Sequence, residues 1–224
     1  DGGSNKCVFN KVGTCKMSLG GKSKHSGATT VKEGELCLKS GASLGTGKLT
    51  VNGGATLSGQ TTTAVPLQNS SIVVNEGGTL RVGNTATSTI GMMCFGGKNV
   101  TFQQNSTLRL GVYKPADTNT TGGASLNDIG TLTLNGVIDV FVPETHTLAV
   151  GDSVVLWQNV KKIAGTPELH NLTVDATKGL YWDVKDLEKG ILHVTDKMPM
   201  GILPTIIADM NNGSIFDLNG RKGA

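Results

Sequence analysis

The side chains able to do chemistry in this chain are three arginines, four cysteines, four histidines and a scatter of 17 acids. Arg81 and Arg109 stand out by context, in Leu80-Arg81-Val82 and Leu108-Arg109-Leu110. Side chains alternate across a strand, so if the flanking aliphatics point inward both guanidiniums point outward. Such a cationic step suits a sulfate or uronate, which a guanidinium grips by forked hydrogen bonds; the plainer reading is a solvated face that discourages sheet-to-sheet sticking. Cys7, Cys15, Cys37 and Cys94 lack the paired short spacings that zinc requires, and no metal or cofactor is expected. Cys7 and Cys15 take the place of Leu, Ile and Val in a recurring pattern, which favours burial as small hydrophobes. The 22 residues between Cys15 and Cys37, about one repeat, also permit a disulfide. His25, His146, His170 and His193 are isolated and fall in no Ser/His/Asp or H-E-x-x-H pattern.

Acids are few where a lyase or hydrolase would need them clustered. Between Cys7 and Leu110 only Glu33, Glu35 and Glu76 occur, all at or near turns. Asp139, Asp152, Asp175, Asp183 and Asp186 follow without a common register, so the expectation is a protein that is not an enzyme. Lys22, Lys24, His25 and Lys32 form the densest basic group and read as a solvated loop. With a net charge of +3 and 4% aromatic residues, the chain lacks the basic patch and stacking platform of a nucleic-acid binder. No apolar run approaches the ~20 residues that span a bilayer.

The elements positioning these groups follow from a repeat. Leu49-Thr50-Val51-Asn52, Ile72-Val73-Val74-Asn75 and Val100-Thr101-Phe102-Gln103 each read apolar, any residue, apolar, amide, and Cys7-Val8-Phe9-Asn10 fits the same template. Six residues after the second apolar position comes Leu57, Leu80, Leu108 or Cys15, across turn-rich sequence. Looser copies surround Thr30-Val31-Lys32, followed by Leu36 or Cys37, and Leu132-Thr133-Leu134-Asn135, followed by Ile138. The column Phe9, Val31, Val51, Val74, Phe102, Leu134 has intervals of 22, 20, 23, 28 and 32 residues. A strand with two inward residues cannot bury them alone, so successive copies must stack and share a core. Asn and Gly suit the corner between two strands because both tolerate left-handed backbone; Asn10, Asn52 and Asn75 would stack there as an amide ladder, extended by Gln103 and Asn135. An antiparallel sandwich also recurs in short strands, but does not hold a two-strand cassette in register.

The stretches 26–36 (SGATTVKEGEL) and 47–57 (GKLTVNGGATL) resemble the autotransporter-associated β-strand repeat. Residues 130–195, with GTLTLNG, VGDS, Trp182-Asp183 and a closing GILHV, resemble the end of autotransporter-type passenger domains. The resemblance covers about residues 5–195 and implies a right-handed β-helix with a C-terminal cap, displayed outside a Gram-negative cell; four cysteines are more than that family usually carries. Residues 213–222 (GSIFDLNGRK), after a Pro-containing linker, resemble the opening of the C-terminal sorting domain of Bacteroidetes secretion cargo.

The expectation is therefore an all-β chain: a single-stranded right-handed parallel β-helix of roughly seven or eight coils, with coils over 1–136, final coils and a β-rich cap over 137–195, and a linker with a sorting-tail remnant over 196–224. Trp157, Tyr181 and Trp182 would plug the end of the core, or offer a platform for a sugar. The expected function is adhesin-like recognition of an extracellular glycan or surface protein, with Arg81 and Arg109 as the anion-binding pair; the alternatives are a structural spacer and a carbohydrate-active enzyme.

Overall fold

A computed structural model describes residues 6–61, 64–83, 91–113, 122–143 and 146–199. The expected sorting tail, from residue 200 onward, lies outside them. The chain is all-β, its one short helical element among the described residues being a 3₁₀ turn at Leu187–Lys189. Its strands run in close pairs: β1 (Phe9–Lys11) and β2 (Lys16–Leu19), β3 (Thr29–Val31) and β4 (Glu35–Leu38), β5 (Leu49–Val51) and β6 (Thr56–Gly59), β7 (Ser71–Val74) and β8 (Thr79–Val82). Longer strands follow: β9 (Met92–Phe102), β10 (Thr107–Tyr113), the short β11 (Gly122–Gly123), β12 (Ser125–Leu134) and β13 (Val137–Phe141). The remainder are β14 (Ser153–Val155), β15 (Trp157–Gly165), β16 (Glu168–Leu169), β17 (Thr173–Asp175), β18 (Leu180–Asp183) and β19 (Ile191–Thr195).

Successive pairs feed two parallel sheets alternately. The first sheet has the order β1-β3-β5-β7-β9-β12-β15 and the second β2-β4-β6-β8-β10-β13-β16, with β11 as an antiparallel appendage on β10. The expected columns hold in register: Val31, Val51, Val74, Phe102 and Leu134 in the first sheet, and Leu36, Leu57, Leu80, Leu108 and Ile138 in the second. All are at most 1% exposed and belong to one hydrophobic cluster, so the inner faces of both sheets share a core. Leu36, not Cys37, is the inward residue after Val31. Between the sheets the chain turns through left-handed residues: Gly54 (φ +74°), Gly77 (φ +70°) and Asn105 (φ +58°), each three residues past its inward Val or Phe. Asn75 Nδ2 donates to Asn52 Oδ1 at 3.3 Å beside this corner.

The first pair departs from the sequence template. Phe9 lies opposite Thr29 and Asn10 opposite Thr30, so Lys11, not Phe9, continues the Val31 column. Asn10 is therefore no part of the amide ladder. The two-residue shift places a lysine inside, 5% exposed, and its ammonium donates to the carbonyls of Val12 (3.0 Å), Gly13 (2.6 Å) and Glu33 (2.9 Å). Three acceptors match the three donors of the ammonium, which makes the burial tolerable. The same shift puts Met17, not Cys15, in the Leu36 column. Cys7 and Cys15 are exposed, against the expectation of burial, and only Cys94 is buried.

At the far end an antiparallel sheet, β14-β19-β18-β17, covers the stack. Val154, Leu156, Trp157, Leu180, Trp182, Leu192 and Val194 extend the same core into it. Trp157 (2% exposed) and Trp182 (1%) are interior residues, so their ring faces are not available to stack a sugar; Tyr181 is half-buried. No helix among the described residues is long and apolar enough to cross a membrane.

Candidate functional site

The outward face of the second sheet brings opposite charges together. One outward column reads Ser18, Cys37, Ser58, Arg81, Arg109, Asp139 along successive strands. Arg81 and Arg109 are thus direct neighbours on β8 and β10, one strand spacing of about 4.8 Å apart. They point outward as the alternation requires, yet each has its own anion. Arg81 donates from an Nη2 to Glu35 Oε1 at 2.7 Å. Arg109 Nε lies 3.4 Å from Asp139 Oδ2, too poorly aligned for a hydrogen bond, and its guanidinium sits over the Phe141 ring, 5.3 Å from the centroid.

Glu35 is the hub of this face. It opens β4, and its Oε1 takes the Ser58 hydroxyl (2.6 Å), Arg81 two strands away, and the Lys16 ammonium (3.1 Å). Burial pushes its carboxyl up, but Ser58, Lys16 and Arg81 together outweigh that and hold it below the ordinary glutamate value. Beside this hub lies a groove of about 320 Å³, lined among others by Lys16, Lys39, Ser58, Gln60, Arg81 and Gly83. Gly59 (φ +112°) and Gly83 (φ +81°) form a bridge between β6 and β8 in conformations that side-chain-bearing residues rarely adopt. A Cβ on Gly59 would collide with the Leu38 carbonyl. Lys39 has no carboxylate partner among the described residues, so the groove holds three cations against the one carboxylate beside it.

The cysteines do not form a pair. Lys16 lies opposite Glu35 and Ser18 opposite Cys37, so Cys15 is offset from Cys37 by three residues along the strands. That is about 10 Å at ~3.3 Å per residue, beyond the ~7 Å reach of a disulfide, and all four thiols are free. Among the described residues no group of three or more His, Cys, Asp or Glu is placed to hold a metal.

One constellation escaped the sequence reading. Ser153 on β14 lies opposite His193 on β19, and its hydroxyl is 2.7 Å from Nδ1; Nε2 is 3.0 Å from Asp186 Oδ2. Asp186 also pairs with Lys189 at 2.7 Å, and Lys189 and His193 hold its carboxyl below the ordinary aspartate value. These are the groups of a hydroxyl–imidazole–carboxylate relay, which also needs donors for a developing oxyanion. Here they lie on the outer surface of the cap and tie β14, β19 and the 3₁₀ turn to one another. Spacing alone did not reveal them because 40 residues separate Ser153 from His193 and the cap has no repeat. Glu35 with Arg81 escaped for a related reason: their contact skips a strand.

No family model matches the chain, and no curated protein matches it.

Proposed function

We propose that this chain is a non-catalytic recognition module of an exported surface protein, built as a single-stranded right-handed parallel β-helix. Its ligands are anionic groups on an extracellular glycan or a neighbouring surface protein, met along the outer face of the second sheet. The observation that carries this reading is the groove lined by Lys16, Lys39 and Arg81, with Arg109 on the adjacent strand. A right-handed path is the near-universal choice for parallel crossovers, and the alternation of strands between two sheets supports a helix of coils. Display outside a Gram-negative cell, and a tail that serves as a secretion address, rest on the resemblances to autotransporter passengers and to Bacteroidetes sorting domains.

The test is an array of glycans and extracellular-matrix proteins probed with the purified chain and with R81A/R109A. Saturable binding to one acidic class, lost in the double variant, supports recognition. Binding to nothing by a folded chain favours the second reading, a structural spacer. That reading draws on the first sheet, whose outward column of Thr30, Thr50, Val73, Thr101 and Thr133 is small and uncharged.

A further inference from the structure

We infer that the groove between Lys39 and Arg81 binds one acidic sugar residue, a polyhydroxyl ring bearing a single carboxylate. The inference rests on the recognition reading and names the ligand that this face takes. Size sets the first limit: about 320 Å³ is at the small end of ligand pockets, enough for one ring and not for a chain of them. Charge sets the second. Lys16 and Arg81 are already partnered by Glu35, whereas Lys39 is not. A monoanion can bridge Lys39 and the remaining donors of Arg81, a guanidinium with five N–H groups of which Glu35 takes one. A dianion would meet the Glu35 carboxylate at close range, so a phosphate is disfavoured.

The rest of the lining suits hydroxyl groups. Ser18, Ser40 and Gln60 add donors and acceptors to the lining, and the backbone of Gly59 and Gly83 borders the same space. Among the described residues the lining contains no aromatic. A neutral sugar held by stacking therefore has nothing to stack on, and affinity must come from charge and hydrogen bonds.

The experiment is an amide-NMR titration of the full chain with sodium glucuronate, with glucose and sodium sulfate as separate arms. Glucuronate should saturate and shift amides of residues 37–40 and 58–60, glucose should leave them in place, and sulfate should bind more weakly. K39Q should weaken glucuronate about tenfold, the worth of one charge-assisted contact. K162Q, on the first sheet, should change nothing. K39Q carries the test because R81Q also strips Glu35 of a partner; melting curves check that both variants fold. Equal binding of glucose would overturn the role of charge, and equal binding of sulfate the role of the ring. Unchanged affinity in K39Q would overturn the location. Array binding that depends on Arg109 while glucuronate leaves the groove amides unmoved would overturn this inference alone; no binding in either experiment would overturn the recognition reading with it.

Discussion

The two parallel sheets are alike inside and unlike outside. Inward, both stack Val, Leu, Ile and Phe at near-zero exposure in a single cluster. Outward, the first sheet offers a column of Thr30, Thr50, Val73, Thr101 and Thr133, with charge added at its last strand by Lys161 and Lys162, while the second offers Lys16, Glu35, Arg81, Arg109 and Asp139 in contact with one another. The fold constrains inward positions by burial and leaves outward ones nearly free, because period-two alternation keeps the two sets independent. Where the outward residues are merely small, stacking alone accounts for them. Where they include an engaged carboxylate, three cations and a groove, stacking does not, and it is there that the proposed recognition is tested.

That contrast can be broken at several points. The largest effects belong to the shared core: Val51→Asp and Leu57→Asp should each abolish cooperative melting, one from either sheet. An uncompensated buried charge costs several kcal/mol, against a typical net stability of ~5–15 kcal/mol; a variant that melts like the parent would place that residue outside the core. Glu35→Gln should come next, lowering stability by about 1 kcal/mol in urea titrations. This is less than a buried charged contact would give, because the site is partly open to solvent and screened. The same residue predicts a pH effect. Its carboxyl is held below the ordinary value in the folded chain, so its contribution is present above the unfolded glutamate pKa and disappears as pH falls through the folded one. Melting across the acid range should therefore show a shallower loss in Glu35→Gln than in the parent. The smallest effects belong to the other face, where Thr30→Ala and Thr101→Ala should each stay within about 0.5 kcal/mol.

Much of the stack was legible in the sequence because its signal is a period. Val51, Val74 and Phe102, with Leu57, Leu80 and Leu108, are where their spacing puts them, and the corner glycines and Asn105 adopt the left-handed backbone their types suggest. The first pair was misread because the template assumes an apolar residue at each inward position. Lys11 breaks it, and only three converging carbonyls explain how a lysine sits there. The same two-residue shift turned Cys7 and Cys15 from expected core residues into exposed ones. At the candidate site, the outward direction and adjacency of Arg81 and Arg109 could be read from their flanking leucines and valine. Of their separate anions, Glu35 could not, because it reaches across an intervening strand; Asp139 could, since Ile138 continues the Leu108 column and so sets Asp139 beside Arg109. Lys39 and the groove's two glycines carry no repeat pattern, since they sit where the chain leaves β4, β6 and β8.

The most direct test of the account compares the two faces in one binding measurement. The chain, R81A/R109A and a triple variant T30A/T50A/T101A would be titrated against immobilised acidic and neutral glycans at low and high salt. The account predicts saturable binding to acidic glycans that weakens with salt, is lost in the arginine variant and persists in the threonine variant. Binding that ignores charge and salt, or that is lost with the threonines and kept without the arginines, would contradict it.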